Sequence, residues 1–171
     1  MVSTQDTVTP RRTWFAIASA TIVLLVSYWS IVLAFVAGNV EGGPRAVGPL
    51  ALGLALMPFV FLVLAFLSGH RRAPGAVVRA LGLVLLIGVP LVLVNLVFGL
   101  VAGFGSGGIM TLRAEKHHRM RARWMAVAVA ATYVLLLMFV APEVGLLTGG
   151  FIPFLAVGFA DSVVEWKAGV R

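Results

Sequence analysis

The stretch GVPLVLVNLVFGLVAGFGSGG, residues 88–108, holds one proline, one asparagine and a crowd of glycines inside a longer apolar run. Whether it crosses a membrane once or turns back decides which side of the bilayer receives everything after it. Its uncharged envelope runs from Ala80 to Leu112, 33 residues bounded by Arg79 and Arg113. As one straight helix this envelope would measure about 50 Å, against a hydrocarbon core of about 30 Å. Folded back on itself it would give two limbs of roughly 17 residues, the lower limit for a span.

The surrounding chain places that choice firmly in a membrane context. It has 171 residues, 61% of them hydrophobic and only 11% charged, with a mean hydropathy of +1.07. Four further runs lack charge and histidine: 13–40, 46–69, 124–142 and 144–160. Unpaired backbone amides are costly in lipid and no strand-type alternation is present, so helices must carry these runs. The expected fold is an all-α integral membrane protein. It is a small polytopic bundle of four full spans, at about 14–37, 47–68, 122–142 and 144–163, plus a helical or re-entrant hairpin at about 79–112. The rival is a plain bundle with 79–103 as one helix and a glycine-rich outer loop after it. Residues 1–12 read as a mobile cytoplasmic tail and 13–171 as a single transmembrane domain. Arg11 and Arg12 before an apolar run could begin a secretory signal, but the run continues through Ala37, past the usual 7 to 15 residues, so it reads as a retained helix.

Charge arbitrates between the two topologies, because basic loops stay cytoplasmic. With a cytoplasmic N-terminus and a hairpin, twelve cations lie inside: Arg11, Arg12, Arg71, Arg72, Arg79, Arg113, Lys116, Arg119, Arg121, Arg123, Lys167 and Arg171. Only Arg45 lies outside. A single crossing of the middle stretch gives no better than 8 to 5. The hairpin is therefore preferred, with Pro90 and Asn95 near its turn.

Composition also excludes functions. Without cysteine there are no disulfides, iron–sulfur clusters, thiol exchange or thiolate zinc sites. The net charge of +7 sits between apolar runs, where it meets anionic lipid headgroups and not nucleic acid, since no soluble domain remains to present it. Gly103, Gly105 and Gly108 fit G-x-G-x-x-G, but the dinucleotide fingerprint needs a preceding strand and an acid about 20 residues on, where this chain has Ala128. His117 and His118 with Glu115 offer one Glu-x-x-His motif; di-iron bundles need two, plus further inward carboxylates. His70, His117 and His118 lie outside the apolar cores, which removes bis-histidine haem ligation. The run from Trp14 to Ala37 holds no glutamate, unlike the first span of small multidrug exporters. Neither a cofactor nor a metal is expected.

The remaining candidates concern packing and lipid. Asn95 is expected to bond a neighbouring helix, and Asp161 to be an interfacial carboxylate paired with Lys167. Gly99 with Gly103 and Gly145 with Gly149 have the G-x-x-x-G spacing of close helix contact. Together with Pro90 these residues form the candidate packing or cavity set. Arg71, Arg72, Arg113, Lys116, Arg119, Arg121 and Arg123 form the candidate anionic-lipid contact. The bias toward Arg, Ala, Gly, Val and Leu suggests a GC-rich bacterium, an actinobacterium for example. The expected role is a non-catalytic accessory or assembly subunit of an inner-membrane complex, such as one handling lipid transport or respiration, with lipids and a protein as partners. The alternative is a small transporter or channel for a lipid-like or neutral solute.

Overall fold

The computed structural model describes residues 10–40, 44–70, 72–112 and 117–169. Its elements are all helices: α1 (Pro10–Val40), α2 (Pro44–Leu67), α3 (Ala73–Leu83), a π turn (Val84–Gly88), α4 (Val89–Val92), α5 (Leu96–Thr111), α6 (His117–Val140), α7 (Pro142–Gly149) and α8 (Ile152–Gly169). Prolines punctuate this order. Pro10, Pro44, Pro74, Pro142 and Pro153 each fall in the first two positions of a helix, where the missing N–H is an orphan in any case and the fixed φ suits the turn. Pro49 and Pro58 lie inside α2.

The helix boundaries follow the sequence runs, with extensions. The first helix begins four residues before Trp14, inside the tail expected at 1–12; residues 1–9 of that tail lie outside the described residues. The first limb of the hairpin begins at Ala73, so Arg79 sits within α3 and not at its edge. The last run is a bent pair, α7 and α8 meeting at 65° across Gly150 and Phe151. The helices over 11–39, 45–67, 73–92 and 119–140 are long and apolar enough to cross a membrane, and the bent pair adds a fifth candidate. That fits a multi-pass membrane protein.

The middle stretch turns back. Leu93 and Val94 close a turn through bonds to Pro90 and Leu91 carbonyls, and Asn95, in extended conformation, caps α5. Pro90 also accounts for the π turn before it. Its ring would collide with the carbonyl four residues earlier, and the wider turn, closed by Val89 N–H to Val84 O, relieves that crowding. The rival single helix is thereby overturned, and so is its outer loop: the glycines of 103–108 are helical and buried in α5. At 16 residues, α5 measures about 24 Å, short for a lipid-exposed span, but it runs through the bundle interior, where protein surrounds it.

Interior packing is built on glycine in α5. Gly103 lies against Gly88, while Gly107 and Gly108 seat the rings of Phe61 and Phe154. Phe61 packs on Phe104 and Phe154 at ring distances of 6.0 and 6.5 Å. On the other side α1 and α2 approach closely at Gly53, whose carbonyl accepts a 2.7 Å bond from the buried Ser27 hydroxyl.

Candidate functional site

One end of the bundle gathers the charges, and specific contacts show which helix ends meet there. Arg12 Nε of α1 donates to Leu67 O at the C-terminus of α2, at 2.9 Å. Ser68 Oγ just beyond α2 reaches Thr111 O at the end of α5, at 3.4 Å. Trp14 Nε1 donates to Ser162 Oγ of α8. Arg123 near the start of α6 donates through Nη1 to Leu112 O, at 2.9 Å. Among the described residues Arg11, Arg12, Arg72, Arg79, Arg119, Arg121, Arg123 and Lys167 belong to this basic end. Arg45, at the start of α2, lies at the other end, where the end of α1, the end of α4 and the start of α5 meet around Asn39, Ala46, Val92 and Leu96.

Two of these arginines finish helices. Helix α2 ends in a Schellman motif, with His70 N–H to Ala65 O, Gly69 N–H to Phe66 O, and Gly69 at φ +76°. Arg12 lies over it, close enough that a Cβ on Gly69 would sit 3.1 Å from its guanidinium. Arg123 does the same for α5 at Leu112. Both place a cation on the negative end of a helix dipole.

Arg123 has a second task. Its Nε and Nη2 hold Asp161 Oδ1 and Oδ2 at 2.7 and 2.6 Å, with side-chain exposures of 1% and 8%. This two-pronged geometry is the strong form of a charge-assisted bond. One turn outward Arg119 meets Glu165 at 3.2 Å, both about a quarter exposed. The pairing corrects two expectations: Asp161 pairs with Arg123 and not Lys167, and Arg123 is buried and occupied by protein, so it is no lipid contact. The signal was present in the sequence as matched four-residue spacings, cations at 119 and 123 and acids at 161 and 165.

The other candidates resolve as follows. Asn95 is half-buried and bonds no neighbouring helix; its Oδ1 accepts from Val97 and Phe98 N–H at 3.0 and 3.2 Å. Gly99 and Gly103 face α4 and the π turn of their own hairpin. Gly145 packs on Met138, and Gly149 on Tyr28 and Val97, so this pair serves separate neighbours. Tyr28 also donates to Leu146 O at 2.9 Å, tying α7 to α1. Arg72 and Arg121 are exposed at the basic end. Arg71, Arg113, Glu115 and Lys116 lie outside the described residues, as do the side chains of His117 and His118. Among the described residues no three metal-ligating side chains cluster, and no buried side-chain polar atom lacks a hydrogen-bond partner.

Apolar hollows lie among the described residues. A cavity of about 410 Å³ lies between the α1–α2 hairpin and the α3–α5 hairpin, toward the end opposite the arginines. Asn39, Ala46, Val92 and Leu96 line its mouth, and Met57, Val84 and Phe104 its depth. A shallower groove of about 620 Å³ runs between α6 and α8 over Ala122, Ala126 and Ala130, with Lys167 at one end. No family model matches this chain, and no curated protein and no solved structure is detectably similar to it.

Proposed function

We propose that this chain is a non-catalytic accessory or assembly subunit of a larger membrane complex, seated in a bacterial inner membrane with its N-terminus and basic end in the cytoplasm. The observation that carries this reading is the use of its polar groups. The buried Arg123–Asp161 pair, the kind of intramembrane charge that elsewhere marks an ion pathway, is closed on itself and on Leu112 O as a clamp between α5, α6 and α8. Away from the charged ends, much of the outward surface is apolar. The alanine-floored groove between α6 and α8 offers close backbone approach to a partner's transmembrane helix. Anionic headgroups at the exposed Arg72 and Arg121 fit the orientation.

The test is affinity purification of the tagged chain from native membranes in mild detergent. A reproducible partner, lost on Ala126→Phe with the fold intact, is the expected outcome. A chain that migrates alone and recovers no consistent partner sinks the proposal.

The cavity favours a second reading, a transporter for a lipid-like solute. It ranks lower because the hollow is blind: Phe104 closes its floor, packed on Phe61, which in turn meets Phe154. Lipid movement between leaflets of reconstituted vesicles, abolished by Ala34→Phe, would raise it above the first.

A further inference from the structure

We propose that the cavity between the two hairpins is a seat for one acyl chain of a phospholipid from the leaflet opposite the basic end. The inference is independent of the accessory role. Depth is the first ground. From Leu96 at the mouth to Phe104 at the floor is eight residues of helix, or about 12 Å, close to one leaflet of a hydrocarbon core about 30 Å thick.

Chemistry is the second. Apart from Asn39 at the mouth, the lining side chains carry no nitrogen or oxygen. Water held there would need two to four polar partners that the walls do not provide. A volume of about 410 Å³, at roughly 30 Å³ per water-sized unit and a methylene of similar bulk, corresponds to on the order of 14 chain carbons.

Access and persistence complete the case. Leu50 and Leu54 of α2 and Val89 of α4 line the hollow while being 41%, 50% and 53% exposed. The hollow therefore opens sideways into the bilayer. A chain can slip in while its headgroup stays at the interface, beside the amide donor and acceptor of the exposed Asn39. The far wall cannot sag inward to close the space. There Gly88 meets Gly103, and Gly99 meets Val92, backbone against backbone, and Pro90 with the π turn fixes the curvature of that limb. A pre-formed seat avoids the ordering cost of building one on binding.

The test uses the full chain reconstituted in phosphatidylcholine vesicles containing a trace of phosphatidylcholine with a diazirine on one acyl chain. A second arm uses the diazirine fatty acid alone. After irradiation, adducts mapped by mass spectrometry should concentrate on Leu54, Met57 and Val89 over the lipid-facing Leu136 and Phe139. Ala34→Phe inside the cavity, and Ala46→Phe at its mouth in case the first variant misfolds, should lower those adducts to the level of Leu136. Ala126→Phe in the α6–α8 groove should leave them unchanged. Adducts spread evenly over all exposed helices, or indifferent to both fillings, overturn the seat. Labelling by the free fatty acid that excess phosphatidylcholine does not displace overturns the phospholipid as its occupant.

Discussion

Arg123 and Asp161 stand 38 positions apart in the chain, yet their side chains meet fork to fork at 2.7 and 2.6 Å in the bundle interior. The third prong of the guanidinium holds Leu112 O. One side chain thus joins the end of α5, the start of α6 and the middle of α8. Both side chains are buried, so the Asp161 carboxylate relies on Arg123 for much of its solvation.

Breaking that pair is expected to be costly, because removing one partner leaves a buried charge uncompensated. Asp161→Ala should lower unfolding stability by about 3–5 kcal/mol. The double variant Arg123→Met/Asp161→Met should recover much of this, leaving the loss of the Leu112 contact. Glu165→Gln, in the partly exposed outer pair, should change stability by no more than about 1 kcal/mol. Thermal unfolding in detergent, followed by tryptophan fluorescence, measures all three. Equal losses from Asp161→Ala and Glu165→Gln would contradict the burial of the inner pair.

Asn95 makes a smaller contribution of a different kind. Its carbonyl oxygen caps the N–H groups of Val97 and Phe98, the second and third residues of α5, so Asn95→Ala should cost about 1 kcal/mol while Asn95→Asp or Asn95→Ser should be nearly neutral. An amide that bonded a neighbouring helix would respond oppositely, with aspartate as damaging as alanine. The same unfolding assay separates the two.

How much of this was legible depended on which physical signal carried it. The hairpin was readable because 33 uncharged residues are too long for one helix in a bilayer and because cations flank both ends. Asn95 was placed near the turn, but its role was misread because its neighbours are apolar on both sides, and apolarity alone does not mark which residue caps the returning helix. Extended backbone at one residue leaves no trace in hydropathy. Arg123 looked like its neighbours Arg119 and Arg121 for a similar reason. Composition sets how many cations lie at an end, but the direction of each side chain around α6 decides that Arg123 points inward and Arg121 outward. Of the residues read as packing or cavity candidates only Gly99 lines the cavity, since the space arises from how two hairpins lean and its walls have the composition of ordinary core.

The shared end of the bundle makes a topology prediction. Reporter fusions after Val94 and after Lys116 should report opposite sides of the membrane, and Lys116 should report the same side as the N-terminus. The contacts of Arg12 with Leu67 and of Ser68 with Thr111 require this. If the basic end is cytoplasmic, as the positive-inside rule directs, alkaline phosphatase should be active at Val94 and inactive at Lys116. Phosphatase activity at Lys116 would break the hairpin.

Glycine substitutions test the hairpin from within. A Cβ on Gly99 would collide with Val92 N and lie 2.7 Å from Val92 Cα, both backbone atoms that no rotamer change can move. Gly99→Ala should therefore push the two limbs apart and destabilise by about 1–3 kcal/mol, the usual range for overpacking. Gly82, on the first limb, has nothing within 4 Å of its would-be Cβ. There the only effect of Gly82→Ala is the loss of backbone freedom in the unfolded chain, which should stabilise by roughly 0.5–1 kcal/mol. Opposite signs from the same chemical change, 17 residues apart in sequence, are expected only if the limbs touch at Gly99 and Val92. Thermal unfolding of both variants in one detergent reads the signs directly, and a neutral Gly99→Ala would mean the limbs do not pack as described.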